Sequence, residues 1–356
     1  MNAFQSPETL AHRDNPQPGR KCDSMLFPPQ CADSSSAPEP VPTSGISMST
    51  TRPSISDKAL KIAADEWTPP PLDLENENPS RIRDFYLGGD RSFAVDRDWC
   101  TNATRLVPPL PRVYRDERDF LSRAIRFATQ RRGIHRFLVL GAGLPFARPV
   151  HDDVLPHPHG RVVYVEPDDY VAAHLKLFAQ KLPQIAAVQG DFLEPGTVLF
   201  HDSVHALLRT GTPIGLVLTG VLETIADTRD AIAALKCFTE RLPPGSVVVV
   251  THATVDGLDT GEAADAALAE RRRLLCRTYG RTAHRPPCHL RTAEQLREIL
   301  AGLRLVQPGI THTSAWHSPR PARGFRPAES LCLAAVAGVR KPRPPRSMSA
   351  DARVVA

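Results

Sequence analysis

The sequence predicts an α/β fold: a doubly wound, seven-stranded, mostly parallel sheet with a helical cover at its N-terminal side. Three observations predict it. From residue 135 onward, apolar runs of strand length alternate with segments of helical apolar spacing. The first run, Phe137-Leu-Val-Leu140, leads directly into Gly141-Ala-Gly-Leu-Pro145. The second, Arg161-Val-Val-Tyr-Val165, closes on Glu166. A strand, a glycine turn and a second strand ending in a carboxylate make half of a nucleotide site.

The elements follow in order. Asn78 caps a helix that begins at Pro79 and stops at Gly88-Gly89. A second helical run starts at Phe93. A third spans about Arg115 to Gln130, with Phe120, Leu121, Ala124, Ile125 and Ala128 on one face and Gly133 closing it. Strands are expected at 135–140, 162–165, 185–188, 214–219 and 246–251. Helices are expected at 170–182, 229–242, 262–279 and 292–300. The run Ser246-Val-Val-Val-Val-Thr251 is β-branched throughout, which suits a strand buried on both faces. The last two strands, 303–307 and 330–336, lie about twenty-two residues apart with no helical pattern between them, which permits an antiparallel pairing at one sheet edge.

Composition sets the domain boundaries. Of the 35 prolines, twelve fall within residues 1–74, a stretch that also holds Ser34-Ser-Ser36 and little apolar periodicity. Such a segment cannot bury enough apolar surface to offset its ordering entropy, so 1–74 reads as a disordered tail, with Met48 a candidate start inside it. Residues 75–133 then form the helical cover, 134–340 the sheet domain, and 341–356 a second tail. The first 74 residues carry six basic and nine acidic side chains, so the net charge of +5 leaves the remainder near +8. The arginines are scattered and not gathered in a run, so no nucleic-acid partner is expected. The seven cysteines form no CxxC pair, which suits free thiols in the cytoplasm. No run approaches the ~18 apolar residues of a membrane span, so no membrane partner is expected.

Several positions carry candidate chemistry. A dinucleotide fingerprint would place a third glycine at position 146, where this chain has Phe146, and that argues against a dinucleotide. Glu166 lies twenty-five residues after Gly141, where a carboxylate accepts ribose hydroxyls, although a loop acid is the plainer reading. Asp191, after the third strand, can reach an adenine or cap a helix. Glu223 follows the fourth strand at the carboxyl edge, where it can face a substrate or simply begin a helix. His252, after the fifth strand, is a candidate base or a structural histidine. His151, His157 and His159 sit in a Pro-rich loop with no carboxylate or cysteine spacing to suggest a metal.

These residues resemble those of a known family. Residues from about 77 to 340 are similar to the actinobacterial S-adenosyl-L-methionine-dependent methyltransferases, whose substrates are mostly unassigned. Arg83-Asp-Phe-Tyr-Leu-Gly-Gly-Asp-Arg-Ser-Phe-Ala-Val-Asp-Arg97 resembles that family's YDYLLGGKDNFAADR segment. Arg118-Asp-Phe-Leu-Ser-Arg-Ala124 resembles its next helix, Gly141-Ala-Gly-Leu-Pro145 its GTGLP turn, and Val163-Tyr-Val-Glu-Pro-Asp168 its VYVDNDP strand end. Leu242-Pro-Pro-Gly-Ser246 and Thr251-His-Ala-Thr254 complete the likeness. The resemblance implies a Rossmann-like class I methyltransferase sheet whose last strand is antiparallel, with S-adenosyl-L-methionine as cofactor. It implies that Gly141 and Gly143 approach the methionine part, that Glu166 binds ribose, and that Asp191 lies near adenine. Tyr86, Gly88, Gly89 and Phe93 would belong to a helical cover over the cofactor and substrate, with Tyr86 and Gly88 among the cofactor-binding residues. The chain departs from the family by having Glu166 for the usual Asp, Glu223-Thr224 where His and an aromatic are common, and Arg148-Pro-Val-His151 for Asn-Val-His.

The expected activity is in-line methyl transfer to a small-molecule acceptor, with His252 or Glu223 as base if the acceptor must lose a proton. The alternatives are an NAD(P)-dependent oxidoreductase on a similar sheet and a non-catalytic regulator that binds S-adenosylmethionine.

Overall fold

The computed structural model describes residues 73–279, 288–319 and 326–339, all within the unit Ala63–Ala356. The expectations for tails at 1–74 and 341–356, and for a start at Met48, fall outside these residues apart from positions 73 and 74.

Three helices come first: α1 (Pro79–Tyr86), α2 (Ala94–Leu106) and α3 (Leu110–Arg132). Asn78 caps α1 through its side-chain oxygen, which accepts from the backbone N–H groups of Ser80 and Arg81 at 2.8 and 3.3 Å. Ile82 and Tyr86 of α1 pack with Cys100 and Ala103 of α2 and with Leu110 and Val113 of α3. The buried Arg81–Asp96 ion pair at 2.6 Å ties α1 to α2.

The sheet strands are β1 (Arg136–Leu140), β2 (Arg161–Glu166), β3 (Ile185–Gln189), β4 (Gly215–Leu218), β5 (Val247–Ala253), β6 (Arg304–Leu305), β7 (Thr311–His312) and β8 (Cys332–Gly338). Their order is β3-β2-β1-β4-β5-β8-β6, with β7 also paired to β8. The first five are parallel, and β8 runs antiparallel between β5 and β6. The expected antiparallel end is therefore present, but the sheet has eight strands where seven were expected. The extra one is the two-residue β7, too short to leave a periodic signal.

The remaining helices are α4 (His151–Val154), α5 (Asp169–Ala179), α6 (Pro195–Leu199), α7 (Asp202–Leu208), α8 (Thr228–Arg241), α9 (Ala263–Tyr279) and α10 (Ala293–Ile299). The short α4, α6 and α7 were not expected. Alternate residues of each strand feed two cores, as the strand period of two requires. In β1, Leu138 and Leu140 join Phe192 and Phe238 on one face, while Phe137 and Val139 join Phe120, Ile125 and Trp316 on the other. All seven residues of β5 are buried. No helix among the described residues is long and apolar enough to cross a membrane.

Candidate active site

The carboxyl ends of β1, β2, β4 and β5 converge beneath α1 and α3. The turn after β1 is shaped by close approach. Gly141 holds φ +75°, and a Cβ there would stand 2.2 Å from the Thr219 carbonyl oxygen on the segment after β4. Gly143 holds φ +74°, with Ser80 of α1 at ordinary contact distance from where its Cβ would be. The Gly143 N–H donates to Glu166 Oε1 at 2.7 Å, joining the turn to the end of β2. Glu166 is 4% exposed, and that burial pushes its carboxyl up to about 7. A crevice lined by Ser80, Arg83, Gly143, Leu144, Arg148 and Thr219 opens beside the turn.

The glycine pair at 88–89 serves this turn through a residue the sequence reading passed over. Asp84 is buried; its carboxylate accepts from the Arg91 N–H at 3.0 Å and from the Ala147 N–H at 3.2 Å. Burial raises its carboxyl above the usual range. A Cβ on Gly89 would overlap that carboxylate, so the Gly-Gly segment and the loop after β1, at Ala147, are linked by one side chain. The Asn78 side chain adds a second tie, donating to Asp168 Oδ2 at 2.9 Å.

Beyond β4 and β5 the hub is Glu117 of α3, also missed in the sequence. Its Oε1 accepts from Thr219 Oγ1 at 2.9 Å and Thr251 Oγ1 at 2.6 Å, and its Oε2 meets Arg83 Nη1 at 2.7 Å. Glu223 lies in a short helical turn after β4 and is 8% exposed. Its Oε1 accepts from the Ala253 N–H at 2.9 Å, while Oε2 is buried with no partner. Burial, and then the charge of Glu117, push its carboxyl up to about 7.

The other expected positions fall elsewhere. β5 runs two residues beyond its expected end, so His252 lies within the strand, fully buried. Its ring contacts the Ala253 carbonyl through Nδ1 at 2.8 Å and Arg291 Nη1 through Nε2 at 3.0 Å. A carbonyl only accepts and a guanidinium only donates, so the ring is neutral with its proton on Nδ1. Burial pushes its pKa down to about 4. Both nitrogens are engaged, so this arrangement leaves His252 no free lone pair with which to act as a base. Arg291 also donates to the Leu222 and Ile225 carbonyls at 2.7 and 2.6 Å, so the histidine belongs to the clamp that fixes the Glu223 turn.

The Tyr86 hydroxyl contacts the Cys100 carbonyl at 3.0 Å and Thr104 Oγ1 at 3.1 Å inside the cover, and Gly88 turns the chain at φ +88°. Asp191 is exposed after β3, its carboxylate accepting from the Leu193 N–H at 2.8 Å. His151 contacts the Tyr164 hydroxyl at 3.0 Å and His157 stacks on His135. Among the described residues no group of three or more His, Cys, Asp or Glu side chains is placed to hold a metal ion.

A β3-β2-β1-β4-β5 parallel sheet with an antiparallel strand inserted beside β5, and a glycine turn bonded to an acid at the end of β2, defines a class I methyltransferase. The S-adenosyl methyltransferase family matches residues 65–341, well over half of the sequence, and the chain belongs to that family. Two solved structures are similar over nearly their whole length. A Thermobifida fusca protein, whose methyltransferase role is itself inferred, is 28% identical, with a TM-score of 0.66 over 78% of this chain and 100% of its own. A DUF574 family protein from Streptomyces avermitilis is 28% identical, with a TM-score of 0.64 over 76% of this chain and 99% of its own. No curated protein matches the sequence.

The protein is an S-adenosyl-L-methionine-dependent methyltransferase, and the oxidoreductase alternative is set aside. The residues of the turn fit that cofactor. Gly141 and Gly143 leave the backbone bare of side chains, and a buried carboxylate stands beside them.

Proposed function

We propose that this enzyme methylates a small-molecule acceptor held over the carboxyl ends of β4 and β5, with Glu166 as the ribose ligand and Glu223 as the proton acceptor. The observation that carries the reading is the buried Glu166 carboxylate bonded to the Gly143 N–H at 2.7 Å. In this reading Gly141 and Gly143 border the methionine portion, Glu166 accepts the ribose hydroxyls, and Asp191 stands near the adenine. When bound, S-adenosylmethionine supplies an electrophilic methyl group on sulfonium. The protein's own work is to orient the acceptor, keep water away and hold a displaced proton. Glu223 suits the last task, because its Oε2 is unpartnered and its carboxyl is raised to about 7, close to neutral pH. The five described free cysteines support a cytoplasmic location, and the Thermobifida and Streptomyces relatives an actinobacterial source.

Calorimetry of the full chain with S-adenosylmethionine, S-adenosylhomocysteine and NAD tests the reading. Both sulfur nucleosides should bind and NAD should not, and Glu166→Ala should weaken both. Unchanged nucleoside affinity in Glu166→Ala would remove Glu166 from the site.

A further inference from the structure

A second buried charge lies within electrostatic reach of Glu223, and its Nε has no hydrogen-bonded partner. Arg272 projects from α9, the helix that packs with α1–α3 in the third core cluster, and is only 8% exposed. Among the described residues its guanidinium makes no hydrogen bond or ion pair, and its Nε is fully buried without a partner. Its charge acts on Glu223 and on the partly buried Tyr114, which also lies in the fields of Glu117 and Arg83. Two groups of opposite charge are thus buried near one another, and each keeps an unmet polar atom. His289 Nε2 is a third such atom, on the residue whose N–H donates to the Glu223 carbonyl at 2.7 Å.

A buried charge without hydrogen bonds is costly, and in native proteins a water, an ion or a ligand completes such a group. The neighbouring thiols offset part of its charge and keep it protonated despite its burial. Cys276 and Cys288 lie 3.2 Å apart, and their mutual hydrogen bond, then Arg272, hold the Cys276 thiol down at about 6. Neither sulfur accepts a hydrogen bond from the guanidinium.

We propose that Arg272 is the anion-binding residue of the acceptor site, so that the methylated substrate carries a carboxylate or phosphate. This rests on the methyltransferase reading above. The acceptor presents its anion to the planar Arg272 fork and its O–H or N–H to Glu223 Oε2. As the acceptor's new O–C or N–C bond forms, the S–C bond of the sulfonium breaks with its electron pair left on sulfur. The acceptor's proton passes to Glu223, which releases it to solvent on product exchange.

The test is calorimetric titration of benzoate, phenyl phosphate and neutral benzamide into the full chain saturated with S-adenosylhomocysteine. At least one anion should bind tenfold or more tightly than benzamide, and the better of the two identifies the group. Arg272→Met should abolish that preference and Arg272→Lys retain part of it. Arg272 makes no hydrogen bond that the change to Met would break, so the variant should melt within about 4 °C of wild type and bind S-adenosylhomocysteine within twofold of wild type. Equal binding of anion and amide, no binding of either anion, or an undiminished preference in Arg272→Met would overturn the proposal. So would a lower melting temperature with lost S-adenosylhomocysteine binding in that variant, which would make Arg272 a framework residue. Failure of wild-type protein to bind S-adenosylhomocysteine would instead strike the methyltransferase reading.

Discussion

Over β1 and β2 the protein pairs its buried acids with its own backbone: Glu166 with the Gly143 N–H, and Asp84 with the N–H groups of Arg91 and Ala147. Past β4 and β5, Glu223 Oε2, His289 Nε2 and Arg272 Nε stay unpaired. The two regions share one sheet edge and are joined through Glu117, which bonds Thr219, Thr251 and Arg83. In the function proposed above, the first half holds the cofactor that the family shares, and the second keeps polar groups for the acceptor. The difference teaches where to look for specificity: among unsatisfied buried groups at the carboxyl edge of the sheet, and not at those such as His135 Nδ1 and Gln184 Oε1 that precede β1 and β3.

The largest effect should come from breaking the joint. Glu117→Ala leaves the partly buried Arg83 and the buried Thr219 and Thr251 hydroxyls without their partner and should cost about 3 kcal/mol of stability, read by denaturant unfolding. Glu117→Gln, which keeps an acceptor for the threonines, should cost less.

Next comes a change that touches one half alone. Glu166→Ala should weaken S-adenosylhomocysteine binding by about 100-fold, on the scale of two charge-assisted hydrogen bonds. Glu223→Gln should leave that affinity within about threefold and instead depress methyl transfer. Equal losses in both variants would erase the distinction between the halves.

Titration separates the halves more finely. The folded pKa values of Glu166 and Glu223 are raised to about 7, so both bind protons that the unfolded chain has released. Stability therefore falls as pH rises from about 4.5 to 7, by up to ~1.4 kcal/mol per pH unit for each group. Buried His252, with its pKa near 4, acts oppositely: stability falls as pH drops from about 6.5 toward 4. The two effects overlap, so each carboxylate is read as the difference between wild type and its Gln variant. Saturating S-adenosylhomocysteine should abolish the Glu166 share, because ribose hydroxyls favour the ionised carboxylate, and leave the Glu223 share intact.

The smallest expected change is at the link between glycine segments. Asp84→Asn keeps one acceptor oxygen and should cost about 1 kcal/mol, read as a lower denaturation midpoint.

What the sequence made legible follows the physics of each residue. Gly141, Gly143 and Glu166 stood out because residue type and strand spacing both pointed to one place. Glu117 did not, because it lies in a helix that reads as ordinary. Yet Val113, Glu117, Phe120, Leu121 and Ala124 share one apolar stripe, and a charge on a buried stripe is itself a signal. Arg272 sits in the same way among Leu268, Ala269, Leu275 and Cys276. His252 misled because strand ends are poorly marked by propensity. With β5 extended to Ala253, side-chain alternation turns Thr251 toward Glu117 and His252 toward Arg291 on the opposite face.

The insertion of β8 also bears on how the chain reaches its folded form. β5, the valine-rich strand at the centre, gains its second neighbour only from residues 332–338, after the whole of 254–331 has been made. Until then Val247–Val250 offers an open, apolar edge of the kind that recruits other chains. Assembly of this sheet is therefore a late, long-range event during synthesis, slow by topology. A chain cut before Cys332 should aggregate rather than fold to a smaller enzyme.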